Sequence, residues 1–280
     1  IMGANIGTTV TNILASLGYL RRGDDFRRAF AAATVHDFFN LLAVAVLLPV
    51  ELLTGYLSGL AGWITDLVIG SSGASFKSPL KAAVKMPAGW IKDLLSELGT
   101  HGDLKGGLMI VIGLVFIFLA LAFVTKNMRL LVANRVEAAI NRTLGAGSGL
   151  VAMVLGMIIT VAVQSSSITT SVLVPLAAAG VLSLENVYPV TLGANVGTTV
   201  TALLASLATG SPAAVTVALV HTLFNLTGIA LFYPVRSLRA LPIRLATGLA
   251  RISAERRTWA VTYVLVMFLV IPLLGVMILR

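Results

Sequence analysis

Residues 3–17 read GANIGTTVTNILASL and residues 193–207 read GANVGTTVTALLASL, identical at twelve of fifteen positions. The likeness resumes downstream at an offset of 185, where Val35, His36, Phe39, Asn40, Leu41, Pro49 and Val50 face Val220, His221, Phe224, Asn225, Leu226, Pro234 and Val235. A separation of 190 residues is far longer than the period of a solenoid. The chain is also 58% hydrophobic and only 11% charged, where soluble domains carry roughly 25% charged residues. A long duplication in so apolar a chain implies an all-α polytopic membrane protein, a transporter of two related halves with the site between them.

Other bulk features narrow the class. There is no cysteine, which removes disulfides and thiolate metal sites. The net charge of +9 sits in a few short stretches between apolar segments, a distribution that does not suit nucleic acid. The chain opens at Ile1, almost inside a motif, and stops at Arg280 just after an apolar run, so we expect a fragment at both ends.

Membrane-length apolar runs cover 29–53, 107–125, 213–235 and 258–279. The stretches 1–20, 149–163, 168–182 and 188–208 are apolar but studded with Gly, Ser, Thr and Asn. They are expected as broken or re-entrant helices, which survive at membrane depth only inside protein or beside water. Four arginines in 18–28, four basic residues in 126–142 and six arginines in 236–257 put those stretches on the cytoplasmic side. The counterpart of 18–28 in the second half is the uncharged 209–212, so corresponding loops fall on opposite faces, as inverted repeats require. The expected organisation is a first repeat over 1–53, an external loop over 54–106, and a connecting helix with cytoplasmic linker over 107–146. A second repeat over 147–235 and a cytoplasmic loop with final membrane helix over 236–280 complete it.

The densest polar cluster runs from Gln164 to Ser171, with hydroxyls at six of the seven positions 165–171. Hydroxyls and free N–H groups at a helix start hold an anion, and hydroxyl and carbonyl oxygens also suit a hard cation such as sodium. Helix–helix glue is the plain alternative for any single Ser or Thr. In the duplicated block, Asn5 and Thr8, with Asn195 and Thr198, offer oxygens beside glycines that permit an unwound turn. Against that stands a small-residue packing face of the GxxxG kind, here GANVG.

Asp37 is the one carboxylate well inside an apolar run, and its counterpart is Thr222. Intramembrane carboxylates are functional hypotheses by default. Asp37 reads first as a sodium ligand, then as a proton carrier, and most plainly as a partner of His36 or a cytoplasmic arginine. His36/Asn40 and His221/Asn225 stand at i, i+4 on one helix face, a spacing better suited to hydrogen bonding across the bundle than to metal ligation. No nucleophile–base pair or phosphate loop is legible, so neither an enzyme nor a cofactor is expected. No Lys or Arg lies within the hydroxyl-rich segments. A polyvalent anion held there must be neutralised by bound cations, which links the two bindings.

The chain resembles the type II sodium-dependent phosphate cotransporters. The resemblance is carried by Gln164-Ser-Ser-Ser, the paired GAN(I/V)GTT blocks, FRRAFAAATVHDFFN at 26–40, VYPVTLGANVGTTVTALLASL at 187–207, VHTLFNLTGIALFYPV from Val220, and LPIRLATGLARIS ending at Ser253. It covers most of the chain and fails over 54–106. It implies inverted repeats with one QSSS motif each around a central phosphate and sodium site; only the second motif is present here. Gln164, Ser165, Ser166 and Ser167 would then contact phosphate, with Gln164 also at sodium. Asn5, Thr8, Asp37, Asn195, Thr198 and Thr201 would line the sodium positions. Ala31, Ala33 and Asp37 match the pattern of electrogenic members. Ala194 stands where animal members often carry Ser, and 54–106 lacks cysteine and N-x-S/T, which points to a bacterial relative.

The expected function is import of inorganic phosphate coupled to sodium, electrogenic, in the plasma (inner) membrane as a multi-pass protein. Sodium is the only metal expected, as coupling ion. The alternatives are a sodium-coupled carrier of another oxyanion, a non-coupled anion channel, or a non-transporting membrane receptor.

Overall fold

Residues 23–54 carry two aspartates, Asp24 and Asp25, in their first turn and end against Gly55 at φ 61°. Acidic residues suit the positive end of a helix, and a left-handed glycine closes its carbonyl end. Between these signals the chain forms one helix of 32 residues, α3 (Gly23–Thr54), buried along 29–37. At about 1.5 Å per residue it exceeds the roughly 30 Å of a bilayer core. The computed structural model describes residues 1–69, 79–99, 102–113, 115–116, 119, 149–209 and 211–278, and all the regular elements among them are helices.

Two short helices, α1 (Met2–Gly7) and α2 (Val10–Leu17), precede α3, and α4 (Tyr56–Ile69) and α5 (Pro79–Glu97) follow it. The stretch read as an external loop thus contains helices. Residues 102–113 are helical, while most of the 107–146 linker lies outside the described residues. The second half comprises α6 (Gly149–Val163), α7 (Ser166–Ala178), α8 (Leu184–Thr209) and α9 (Pro212–Phe232). Next come α10 (Arg236–Glu255), α11 (Thr258–Leu265), a π-helical turn at Val266–Val270 and α12 (Ile271–Ile278). Among the described residues, α3, α8 and α9 are long and apolar enough to cross a membrane.

Corresponding elements run in opposite directions. The α3 helix starts beside Arg21 and Arg22, whereas its counterpart α9 ends beside Arg236. At the far end, Thr216 near the start of α9 lies 2.9 Å from Thr65 of α4. The arginine-rich helix α10 packs along α3, burying Pro242, Ala246, Ala250 and Ser253 and exposing Arg236, Arg244 and Arg251. That pattern suits a helix lying in the headgroup layer.

The α6–α7 pair is a hairpin that enters and leaves on the arginine-rich side. Gly149 abuts Tyr233 at the end of α9, and the carbonyl of Ala178 accepts a 2.8 Å bond from Arg28 Nε. With 15 and 13 residues, these helices are too short to span. Their turn at Gln164–Ser165 lies part-way along α8, since Thr160 packs against Gly197.

One expectation is corrected. The GANVGTTVT block does not unwind: α8 runs unbroken from Leu184 to Thr209. Its glycines serve close approach instead. A Cβ on Gly193 would stand 1.8 Å from the Met153 carbonyl oxygen, and one on Gly156 of α6 would stand 2.2 Å from the Val190 carbonyl oxygen. The backbones of α6 and α8 touch, as small-residue faces allow in membranes. In the first half the same letters do break, with Thr8 and Thr9 as turn residues between α1 and α2.

Candidate functional site

Four asparagines, one pair from each repeat, meet at the centre. Asn5 Nδ2 donates to Asn40 Oδ1 at 3.3 Å and to Asn225 Oδ1 at 2.8 Å. Asn195 Nδ2 donates to Asn225 Oδ1 at 3.2 Å and to Asn40 Oδ1 at 3.0 Å. Asn40 Nδ2 reaches the Asn5 carbonyl at 3.0 Å, and Asn225 Nδ2 reaches the Asn195 carbonyl at 3.3 Å. Exchanging the two repeats leaves this pattern unchanged, as a local two-fold demands. All four side chains are buried. Asn5 and Asn195, expected at sodium positions, thus have their amides engaged in a clasp between the halves. His221 joins through Nε2, 3.2 Å from Asn5 Oδ1. Its counterpart His36 is buried, and among the described residues neither ring nitrogen makes a hydrogen bond of good geometry.

The clasp has a measurable consequence. Asn225→Leu removes an acceptor shared by two amides and a donor to the Asn195 carbonyl. Losing these bonds costs about 1–3 kcal/mol, so the purified protein is expected to melt several degrees lower in detergent, by roughly 2–4 °C per kcal/mol. An unchanged melting curve would mean that the clasp does not hold the halves together.

The hairpin tip is built differently. Gln164 adopts a left-handed backbone at φ 57°, unusual for a residue with a side chain. That turn lets the chain reverse between α6 and α7. Ser165 then caps α7, its Oγ accepting from the Ile168 N–H at 3.3 Å. The hydroxyls divide into two groups. Thr169, Thr170 and Ser171 donate to carbonyls one turn back, at Ser165, Ser166 and Ser167. Thr170 and Ser171 also contact Asn12 of α2, and Thr160 of α6 donates to Thr169 at 3.0 Å. These are packing hydroxyls. Gln164, Ser165, Ser166 and Ser167 stay at the open end of α7, where the first-turn N–H groups point away from the helix.

The tip touches the other repeat at the α1–α2 break. Ser167 Oγ donates to the Thr8 carbonyl at 3.4 Å. The next residue, Thr9, donates through its hydroxyl to Asp37 Oδ1 at 3.0 Å. Two consecutive threonines therefore lie between the QSSS tip and the buried carboxylate. Asp37 has no exposed surface, and its Oδ2 accepts a hydrogen bond from the Tyr263 hydroxyl of α11. The described ion pairs, Arg27–Asp24 and Arg28–Asp25, lie at the surface and leave Asp37 without a basic partner.

The other expected residues are placed as follows. Thr8 bonds the Asn5 carbonyl at 2.8 Å, Thr198 the Ala194 carbonyl at 3.2 Å and Thr201 the Thr198 carbonyl at 2.7 Å. Ala33 lies one turn before Asp37 on the same face of α3, whereas Ala31 points elsewhere and lines a recess with Arg27, Arg28 and Thr247. Both alanines are buried. Sequence reasoning missed Thr9, Asn12 and Tyr263. Thr9 stood inside the duplicated block beside Thr8, but nothing in the sequence near Tyr263 tied it to Asp37. Among the described residues no three His, Cys, Asp or Glu side chains form a metal cluster.

The arrangement can bind an anion by dipoles and a small cation by oxygens, with one fixed negative charge nearby. A family model described as Na+/Pi-cotransporter matches residues 115–252. The chain is 37% identical to sodium-dependent phosphate transport protein 2A of Rattus norvegicus over 97% of its length and 53% of the relative. It is 32% identical to sodium-dependent phosphate transport protein 2B of Bos taurus, over 98% of its length and 52% of the relative. The chain thus spans about half the length of these curated relatives. No solved structure matches it.

Proposed function

This chain belongs to the Na+/Pi-cotransporter family, and from that membership we propose that it forms the core of a secondary transporter importing inorganic phosphate with sodium. The observation that carries the reading is the nearness of a helix start rich in dipoles to a buried carboxylate that has no basic partner among the described residues. Gln164, Ser165, Ser166 and Ser167 offer hydroxyl, amide and N–H dipoles but no fixed positive charge. Asp37 lies across Thr8 and Thr9 without a basic partner among the described residues. A phosphate at the tip leaves its charge uncompensated at low dielectric, which costs several kcal/mol or more. Sodium, held by oxygens around Asp37, Thr8, Thr198 and Thr201, supplies the missing charge. Anion and cation then move together.

The setting is the plasma membrane, crossed several times, with the arginine-rich side cytoplasmic. Within it, the repeats over 1–53 and 147–235 rock about the asparagine clasp to alternate access. Net positive charge enters with each phosphate, because Asp37 brings an additional sodium site. The activity is transport rather than catalysis, as in the relatives' names.

Replacing sodium by choline is the direct test. Uptake of labelled phosphate by the reconstituted transporter is expected to fall at least tenfold, because the anion loses its counter-charge. Undiminished uptake in choline would sink sodium coupling and favour an uncoupled anion channel. Equal displacement of the label by sulfate or arsenate would instead favour a broader oxyanion carrier.

A further inference from the structure

We infer that Tyr263 is a positioning residue for Asp37, holding the carboxylate where it receives sodium. The Tyr263 hydroxyl donates to Asp37 Oδ2 from α11, far from Asp37 in the sequence. Its ring is fixed between Phe30 and Phe38 of α3, at centroid distances of 6.4 and 5.9 Å. Those two phenylalanines lie on either side of Asp37 along the helix, so the phenol has little freedom to swing away. Asp37 Oδ1 has a weaker second tether. The single proton of the Thr9 hydroxyl is shared between Asp37 at 3.0 Å and the Ile6 carbonyl at 2.8 Å.

This pairing is one-sided. Thr222, the counterpart of Asp37, bonds the Ala218 carbonyl of its own helix at 2.9 Å. The carboxylate that distinguishes the first repeat is therefore met by a tyrosine from α11. Each carboxylate oxygen has two acceptor directions. A phenol on one of them orients the group and leaves the others open to a cation. Hydrogen bonds to ionised acceptors are the stronger kind, so this bond sets the direction in which the negative charge faces.

The inference rests on the sodium reading of Asp37, and the test separates the two. Tyr263→Phe keeps the ring contacts and removes the donor. Phosphate uptake and transport current are measured together in proteoliposomes over a range of sodium concentrations. The expected result is a rise of about tenfold in the sodium concentration for half-maximal uptake. The phosphate half-saturation at saturating sodium and the charge moved per phosphate stay near their original values. In an Asp37→Gly background, Tyr263→Phe should add less than a twofold change, because its target is gone. Half-saturation and charge ratio are independent of how much protein inserts, so reduced folding does not imitate the result. If Asp37→Gly lowers the charge per phosphate but Tyr263→Phe leaves sodium half-saturation within twofold, the inference is overturned and the Asp37 reading stands. A tenfold shift that persists undiminished in Asp37→Gly overturns it too, since Tyr263 then acts by another route. An unchanged charge per phosphate in Asp37→Gly overturns the Asp37 reading itself.

Discussion

Gly193→Ala is expected to lose most of its folded protein. This glycine lies in the second copy of the duplicated block. Around Gly193 the new methyl group would stand 1.8 Å from the Met153 carbonyl oxygen and 2.6 Å from its carbon. Those are backbone atoms of α6, so no rotamer change relieves the clash. The helices must separate, and Gly156 and Gly197 then lose their close contacts as well. Overpacking of this kind costs about 1–3 kcal/mol at one site and more where a whole crossing shifts. A drop of roughly 5–10 °C in melting temperature follows. Monodisperse yield and melting temperature in detergent measure the variant. A melting temperature equal to that of the unaltered protein would mean that α6 and α8 do not cross this closely.

The second large effect concerns charge rather than stability. Asp37→Gly should lower the net charge carried with each phosphate while uptake continues. The carboxylate is fully buried and has no basic partner among the described residues. A fixed negative charge at low dielectric attracts a small cation strongly, and without it that site has only neutral oxygens. Among the described residues, the proposed phosphate-binding tip at Gln164–Ser167 is linked to Asp37 through Thr8 and Thr9, so binding at the tip is expected to persist. Current and labelled uptake recorded in the same preparation give a ratio that does not depend on expression. A ratio equal to that of the unaltered protein would remove Asp37 from the sodium pathway. A glycine in mid-helix costs about 1 kcal/mol relative to alanine, so some loss of yield accompanies the change without altering the ratio.

Much of the architecture was legible because it rests on periodicity and composition. The apolar runs marked α3 and α9, and the 190-residue duplication marked the two halves. The swap of arginine-rich and uncharged loops anticipated their opposite directions. Gln164 and Ser165 announced a break, since a polar run between two apolar segments offers hydrogen bonds that compete with the helix. Partners far apart in the chain were not legible. The bond from Tyr263 to Asp37 joins residues separated by 226 positions, and Asn12 meets Thr170 across 158. Nor did hydroxyl content reveal that Thr169, Thr170 and Ser171 are turned to their own backbone while Ser165 caps the helix and Ser167 reaches the Thr8 carbonyl.

The duplicated block draws the boundary between the two kinds of information. From composition alone, GANIGTT and GANVGTT were bound to be small, polar-edged and able to approach another backbone. Whether they bend was left open, because their letters are nearly the same. The second copy runs straight with α6 lying against Gly193 and Gly197, whereas the first copy turns at Thr8 and Thr9, where the hairpin tip and Asp37 meet it. Local sequence sets only what a backbone can do at small cost. The neighbour packed against it decides which of those conformations is adopted, and here it places Thr9 on Asp37 and the Thr8 carbonyl at the hairpin tip.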